Sequence, residues 1–232
     1  MKAFLLAAGL GTRLRPLTDT VPKCLVPIKG RPLLGWWLEL LAKHKIDEVI
    51  INTHYLSEQV SEYIALHNSG GKSPRAIEFY EPKLLGSGGT VKANQDFVKD
   101  EECFLICYAD NLTDIDLTAI IESHKKNEAK LTMALFRSPN PEQCGIARMD
   151  PEGRIIGFEE KPEKPKSNLA NGGVYVADAD IFEAIPDSKF SDFGKDVLPK
   201  LVGDMYGWET KSFILDIGTP ENYKKAQKEW NK

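Results

Sequence analysis

Short apolar runs alternate with stretches of helical spacing along the chain as far as Pro139. Lys2–Ala7 is a β-rich run, Leu33–His44 repeats its apolar positions at helical spacing, and Glu48–Asn52 ("EVIIN") is a buried-strand pattern followed by a helical stretch, Ser57–His67. Ile77–Tyr80, a helix opening near Gly89, the run Cys103–Asp110 ("CFLICYAD"), a helix Leu117–Lys126 and a strand Leu131–Phe136 continue the alternation. Strand and helix in turn predict an α/β fold with a largely parallel sheet and helices on both faces. Beyond Pro139 the texture changes. "GIARMDPEGRIIGFEEKP" reads as a hairpin turning at Asp150–Gly153, "SNLANGGVYVAD" as another strand, Phe193–Leu201 as helical, and "SFILDIGTPENYKKAQKEW" as a strand running into a final helix. The expectation is one domain whose second half supplies an inserted β-rich lid.

Composition narrows the classes without choosing among them. At 232 residues and 42% hydrophobic, the chain has enough apolar material for a substantial core. Its net charge of −4 offers no global attraction for nucleic acid or a membrane surface, so a bound anion requires a local cluster. No apolar run reaches the length that spans a bilayer, and Met1–Ala8 leads into a glycine loop instead of a cleavage site. Cys24, Cys103, Cys107 and Cys144 form no CxxC pair and read as reduced thiols, which together place the chain in the cytoplasm. The histidines show no metal-ligand spacing. His44, His67 and His124 read as residues on helix surfaces, and His54, which ends a strand, as a solvated loop residue or as a neighbour of the base site.

In open α/β sheets ligands sit outside the carboxyl ends of strands, which directs attention to the residues closing each apolar run. After the first run comes "AAGLGTRLRP", spanning Ala7, Ala8, Gly9, Gly11, Thr12, Arg13 and Arg15. Glycines let backbone N–H groups approach an anion, and the arginines add charge-assisted hydrogen bonds. The spacing is neither GxGxxG nor a Walker loop, and a tight turn fits the glycine pair equally well. Downstream, Pro22 and Pro27 stiffen the segment carrying Lys23. Asp110 and Asp216 each end an apolar strand, "FLICYAD" and "SFILD", where aspartate also serves as an ordinary terminator. "LLGSGG" places Gly86 and Gly88 just before a helix, either as a nucleotide-contacting loop or as a plain turn.

Taken together, GxGTRxRPLT, PKxLxPI, the aspartate of "YADN", "FEEKP" and "LDIGTPENY", in this order from Met1 to about Lys228, strongly resemble the sugar-1-phosphate nucleotidylyltransferases. The short form, without a left-handed β-helix extension, is the one matched. The resemblance implies a Rossmann-like α/β fold and transfer of a nucleotidyl group from a nucleoside triphosphate to a sugar 1-phosphate, with magnesium as cofactor and pyrophosphate released. It implies a nucleotide-binding part over about 1–138, a sugar-binding part over about 139–215 and a closing strand and helix over about 212–232. Residue by residue, Asp110 and Asp216 would ligate the metal. Arg13 and Lys23 would grip the triphosphate, Lys161 the sugar phosphate, and Glu160 the sugar hydroxyls. Gly145, Asn171 and Gly172 match the sugar side, although the glycine pair after Asn171 also reads as a β-bulge and Cys144 stands where the family often has an aromatic. Family members commonly self-associate.

The resemblance also implies that the base is read just upstream of the glycine turn, where Glu81 stands: a carboxylate accepts from guanine N1–H and N2–H₂ together, whereas uracil and thymine offer one such donor. This favours guanylyl transfer to a mannose- or heptose-like 1-phosphate; the alternatives are that Glu81 faces solvent and that the loop around Gly86 and Gly88 reads a pyrimidine with backbone groups alone. Uridylyl or thymidylyl transfer to a hexose or amino-sugar 1-phosphate is next. A cytidylyltransferase for a non-sugar phosphate, or an inactive nucleotide-sugar-binding regulator, completes the set.

Overall fold

The computed structural model describes residues 1–231 and has the α/β fold expected, a mixed sheet flanked by helices. Its chain divides into two compact units, the first formed by Met1–Leu84, Cys107–Asp114 and Phe213–Lys232, the second by Leu85–Ile106 and Ile115–Ser212. One of the boundaries falls within the strand Phe104–Tyr108. Among the described residues no helix is long and apolar enough to cross a membrane.

In the first unit, strand Lys2–Leu6 pairs in parallel with Glu48–Thr53, and that strand in parallel with Arg75–Tyr80. The first two of these are apolar because they are covered on both faces; Phe4, Leu5, Val49 and Ile51 are fully buried. Helix Leu33–Lys43 buries Leu33, Leu34, Trp37 and Leu41, at the spacing that puts them on one face, and Trp37 Nε1 donates to the Asn111 carbonyl at 2.8 Å. Helix Ser57–Ser69 follows the second strand. Strand Ile214–Asp216 pairs antiparallel with Asn111–Thr113, placing Asp216 opposite Asn111. The last helix, Pro220–Glu229, follows the strand as expected: Thr219 caps it by accepting from Asn222 N–H at 3.2 Å, and Pro220 takes the first turn, where no N–H is needed.

In the second unit, strand Leu131–Arg137 lies between Leu169–Ala177, antiparallel, and Met205–Glu209, parallel. The hairpin Gly145–Met149/Ile155–Glu160 forms as expected and joins Leu169–Ala177 through Ala170 and Ile146. Helix Leu117–Asn127, capped by Asp116 on Ala119 N–H at 3.0 Å, packs on this sheet. Met205–Glu209 escapes the sequence pattern because "MYGWE" neither alternates nor avoids glycine; Gly207 is there because Leu135 and Met149 leave no room for a Cβ. His124 is a correction. It lies 4% exposed inside the helix–sheet contact, not on the helix surface, with Nδ1 3.0 Å from Thr132 Oγ1. Burial there holds the imidazole down to about 4.

Candidate active site

The loop after the first strand is shaped by its own residues. Gly11 has φ +65°, and a Cβ on it would lie 3.0 Å from Thr18 Cγ2 and 3.3 Å from Lys23 Cβ, so both conformation and space call for glycine. The buried Thr18 hydroxyl donates to the Gly11 carbonyl at 2.7 Å, and Leu14 N–H donates to the same carbonyl at 2.9 Å. The loop is thereby tied down while Arg13, on the short turn Thr12–Leu14, remains 64% exposed.

Lys23 draws the charged residues of this unit together. Its side chain is 8% exposed, and Nζ donates to Asp110 Oδ2 at 2.8 Å and to Asp216 Oδ1 at 2.9 Å. Arg13 donates to Asp216 Oδ2 at 3.3 Å, and Gly218 N–H to Asp216 Oδ1 at 2.7 Å. A Cβ on Gly218 would stand 2.8 Å from both Lys23 Nζ and Asp216 Oδ1 and 2.9 Å from Arg13, so the glycine of "DIGTP" is demanded by close approach. Burial alone would depress the Lys23 ammonium; the charges of Asp110 and Asp216 and their hydrogen bonds outweigh it and hold the lysine above its ordinary range. Burial likewise opposes ionisation of Asp216, but Lys23, the Gly218 N–H and Arg13 hold that carboxyl below the usual carboxylate range.

A second constellation lies at the ends of the parallel strands. Glu81 is 1% exposed, so it does not face solvent. Its N–H donates to the Thr53 carbonyl at 2.8 Å, and its carbonyl is 2.7 Å from Nδ1 of the half-buried His54, in the loop after the strand, which makes His54 part of this corner. Glu81 Oε1 accepts from Asn52 Nδ2 at 2.8 Å, and Asn52 Oδ1 accepts from Ala7 N–H at 2.6 Å. The Ala7 amide is therefore engaged within the protein. No motif in the sequence marks Asn52 as a site residue; the signal available is a polar residue closing an apolar strand, as Asp110 and Asp216 do.

The second unit holds the other predicted residues. Gly86 and Gly88 lie in the first turn of helix Gly86–Ala93 and not ahead of it. Gly88 N–H donates to the Ser191 carbonyl at 2.8 Å, and a Cβ on Gly86, φ +76°, would collide with that carbonyl, so these glycines admit close backbone packing. Glu160 Oε2 would lie 2.7 Å from a Cβ on Gly145 and 3.0 Å from one on Gly194, so two glycines make room for one carboxylate. Burial raises the Glu160 carboxyl above its ordinary range against the opposing charge of Lys161, whose Nζ is 3.8 Å away. Lys161 has φ +48°, a left-handed conformation that non-glycine residues seldom adopt, and its side chain is 62% exposed. Asn171 Nδ2 donates to Tyr175 Oη at 2.6 Å and its Oδ1 accepts from Gly173 N–H at 2.9 Å, across the bulge between Asn171 and Tyr175 that carries Gly172. Cys144 is half-buried with Sγ 3.5 Å from Ser138 Oγ, and all four cysteines are unpaired thiols.

A family model described as nucleotidyl transferase matches residues 2–232. The chain belongs to this family. Within it, the chain is 37% identical over 232 residues to D-glycero-alpha-D-manno-heptose 1-phosphate guanylyltransferase of Aneurinibacillus thermoaerophilus, covering 99% of this chain and 98% of the relative. It is 32% identical to UTP–glucose-1-phosphate uridylyltransferase of Synechocystis, over 97% of this chain but only 62% of that longer relative. The crystal structure of HddC from Yersinia pseudotuberculosis, known also in complex with GMP-PN, superimposes with a TM-score of 0.83 at 26% identity, covering 99% of both chains.

Proposed function

We propose that this protein transfers GMP from GTP to a mannose- or heptose-like sugar 1-phosphate, releasing pyrophosphate. The observation that carries the reaction class is Lys23 Nζ hydrogen-bonded to both Asp110 and Asp216, with Arg13 on the carboxylate of Asp216 as well. Magnesium suits this donor set: two carboxylates already share one cation, and the ion commonly completes its shell with substrate phosphates. When bound, the ion neutralises phosphate charge in the transition state.

The first unit supplies the residues for the triphosphate. Arg13 and the N–H groups of Ala8 to Thr12 hold its oxygens, and Arg13 and Lys23 stabilise the charge that grows on pyrophosphate as the α–β bridging P–O bond breaks. The second unit supplies the residues for the acceptor. Lys161 holds the sugar phosphate, whose oxygen forms the new bond to the α-phosphorus, while Glu160 and Asn171 take sugar hydroxyls and the Gly145 and Gly172 backbone admits the ring. No side chain has to form a covalent bond; positioning and charge do the catalysis.

Support for guanine is the guanylyltransferase among the relatives; Glu81, at 1% exposed, would meet the base edge only when the groups covering it part. The uridylyltransferase relative supports UTP as the second reading. Pyrophosphate release from GTP, UTP and dTTP with mannose, heptose and glucose 1-phosphates decides between them. Wild type should prefer GTP, and Glu81→Gln should erode the preference by about 10- to 100-fold, the value of one charge-assisted hydrogen bond. A wild-type preference for a pyrimidine nucleotide, or an unchanged preference in the variant, removes the argument from Glu81.

A further inference from the structure

We infer that Asn52 is a positioning residue that couples the Glu81 carboxylate to the start of the triphosphate loop at Ala7; the meaning of this coupling for base choice rests on the reading of Glu81 given above. A main-chain N–H can only donate, so the Asn52 atom 2.6 Å from Ala7 N is the amide oxygen. That leaves the amide nitrogen toward Glu81, where it donates to Oε1 at 2.8 Å. The orientation of the amide is fixed by chemistry at both ends. Asn52 is 5% exposed and Glu81 1% exposed, so water is poorly placed to replace either bond.

The place of Asn52 in the sheet gives it this role. Strand Lys2–Leu6 runs parallel to Glu48–Thr53 with Leu5 beside Ile51, and the next step along brings Asn52 to the point where the first strand gives way to the loop. The Asn52 side chain there accepts the Ala7 N–H, prolonging main-chain order into the first loop residue. On its other side, the Glu81 main chain is held by the Thr53 carbonyl and by His54, so Asn52 adds a fixed position for one carboxylate oxygen to a fixed backbone. One amide thus joins a group that reads the base to the loop that carries Arg13. Displacing Glu81 pulls on Asn52, and Asn52 pulls on Ala7.

The test is a double-mutant cycle on Asn52→Asp and Glu81→Gln, read as kcat/KM for GTP and for UTP with mannose 1-phosphate as acceptor, alongside thermal unfolding. Asn52→Asp keeps an oxygen for the Ala7 N–H but sets a second carboxylate against Glu81. With Glu81 in place, Asn52→Asp should lower kcat/KM at least tenfold for the preferred nucleotide. When Glu81→Gln is already present, the hydrogen bond re-forms with donor and acceptor exchanged, and Asn52→Asp should change kcat/KM less than threefold. Equal losses in the two backgrounds would overturn the coupling. Should Asn52→Asp fail to fold, recovery of folding in the double variant supports the coupling, and equal destabilisation of both refutes it. The base reading is judged separately, by whether Glu81→Gln alone shifts the GTP-to-UTP ratio.

Discussion

Replacing Gly218 by alanine should disable the enzyme while hardly touching the fold. The new Cβ would stand 2.8 Å from Lys23 Nζ and Asp216 Oδ1 and 2.9 Å from Arg13, against an ordinary contact near 3.4 Å, so these atoms must retreat by about 0.6 Å. All are ends of side chains, and Gly218 has no positive φ that alanine would strain. The packing penalty should therefore stay near ~1 kcal/mol, offset in part by the lower chain entropy of unfolded alanine, which for a chain of this size corresponds to a Tm change of about 2–4 °C or less. Turnover is more sensitive, because a misplacement of about 1 Å in a positioned charge set costs about 100-fold. We expect kcat to fall about 10- to 100-fold, measured as pyrophosphate release at saturating GTP, mannose 1-phosphate and magnesium, with thermal unfolding in parallel. Turnover within about threefold of wild type, with Tm unchanged, would show that Lys23, Asp216 and Arg13 are not the reacting machinery.

The same charges and the buried histidine yield further expectations. Asp216→Asn should keep the fold and lower magnesium-dependent turnover by about 100-fold or more, since a carboxylate is lost from a highly charged transition state; near-normal activity removes Asp216 from the site. Arg13→Ala should raise KM for the triphosphate and slow kcat, whereas Lys161→Ala should act through KM for the sugar phosphate, and interchangeable defects would refute that division of roles. His124 has a folded pKa of about 4, below the usual value of about 6.5, so protonation favours the unfolded chain: the penalty is nearly absent at neutral pH, grows as pH falls below about 6.5 and saturates below about 4. It amounts to about 2 kcal/mol between about pH 7 and pH 5. His124→Gln, which can still bond Thr132, should flatten this limb of the pH–stability curve, and an unchanged acid limb would show that another group sets it.

The sequence alone was sufficient for most of the elements and for picking out the polar residues that close the strands. Apolar runs such as "EVIIN" and "FLICY", helical spacing in Leu33–His44 and the "GTPEN" start of the last helix act through local propensity, capping and burial pattern, all written within a few residues. The glycine loop and the strand-ending aspartates are legible for the same reason, since each motif is contiguous. What only the tertiary structure decided is which distant groups share one environment. Lys23 is 87 residues from Asp110 and 193 from Asp216, and no local pattern states that one ammonium holds both. Burial of polar side chains is equally non-local. His124 reads as a helix-surface residue and Glu81 has solvent as its plainer alternative until the sheet packs around them, and Asn52 shows its role only when Ala7 and Glu81 arrive on either side of it. The strand Met205–Glu209 is hidden because its glycine answers to Met149 and Leu135, not to its own neighbours. Local physics chooses conformations residue by residue, whereas proximity, desolvation and shared protons arise only when chain closure brings remote strand ends together.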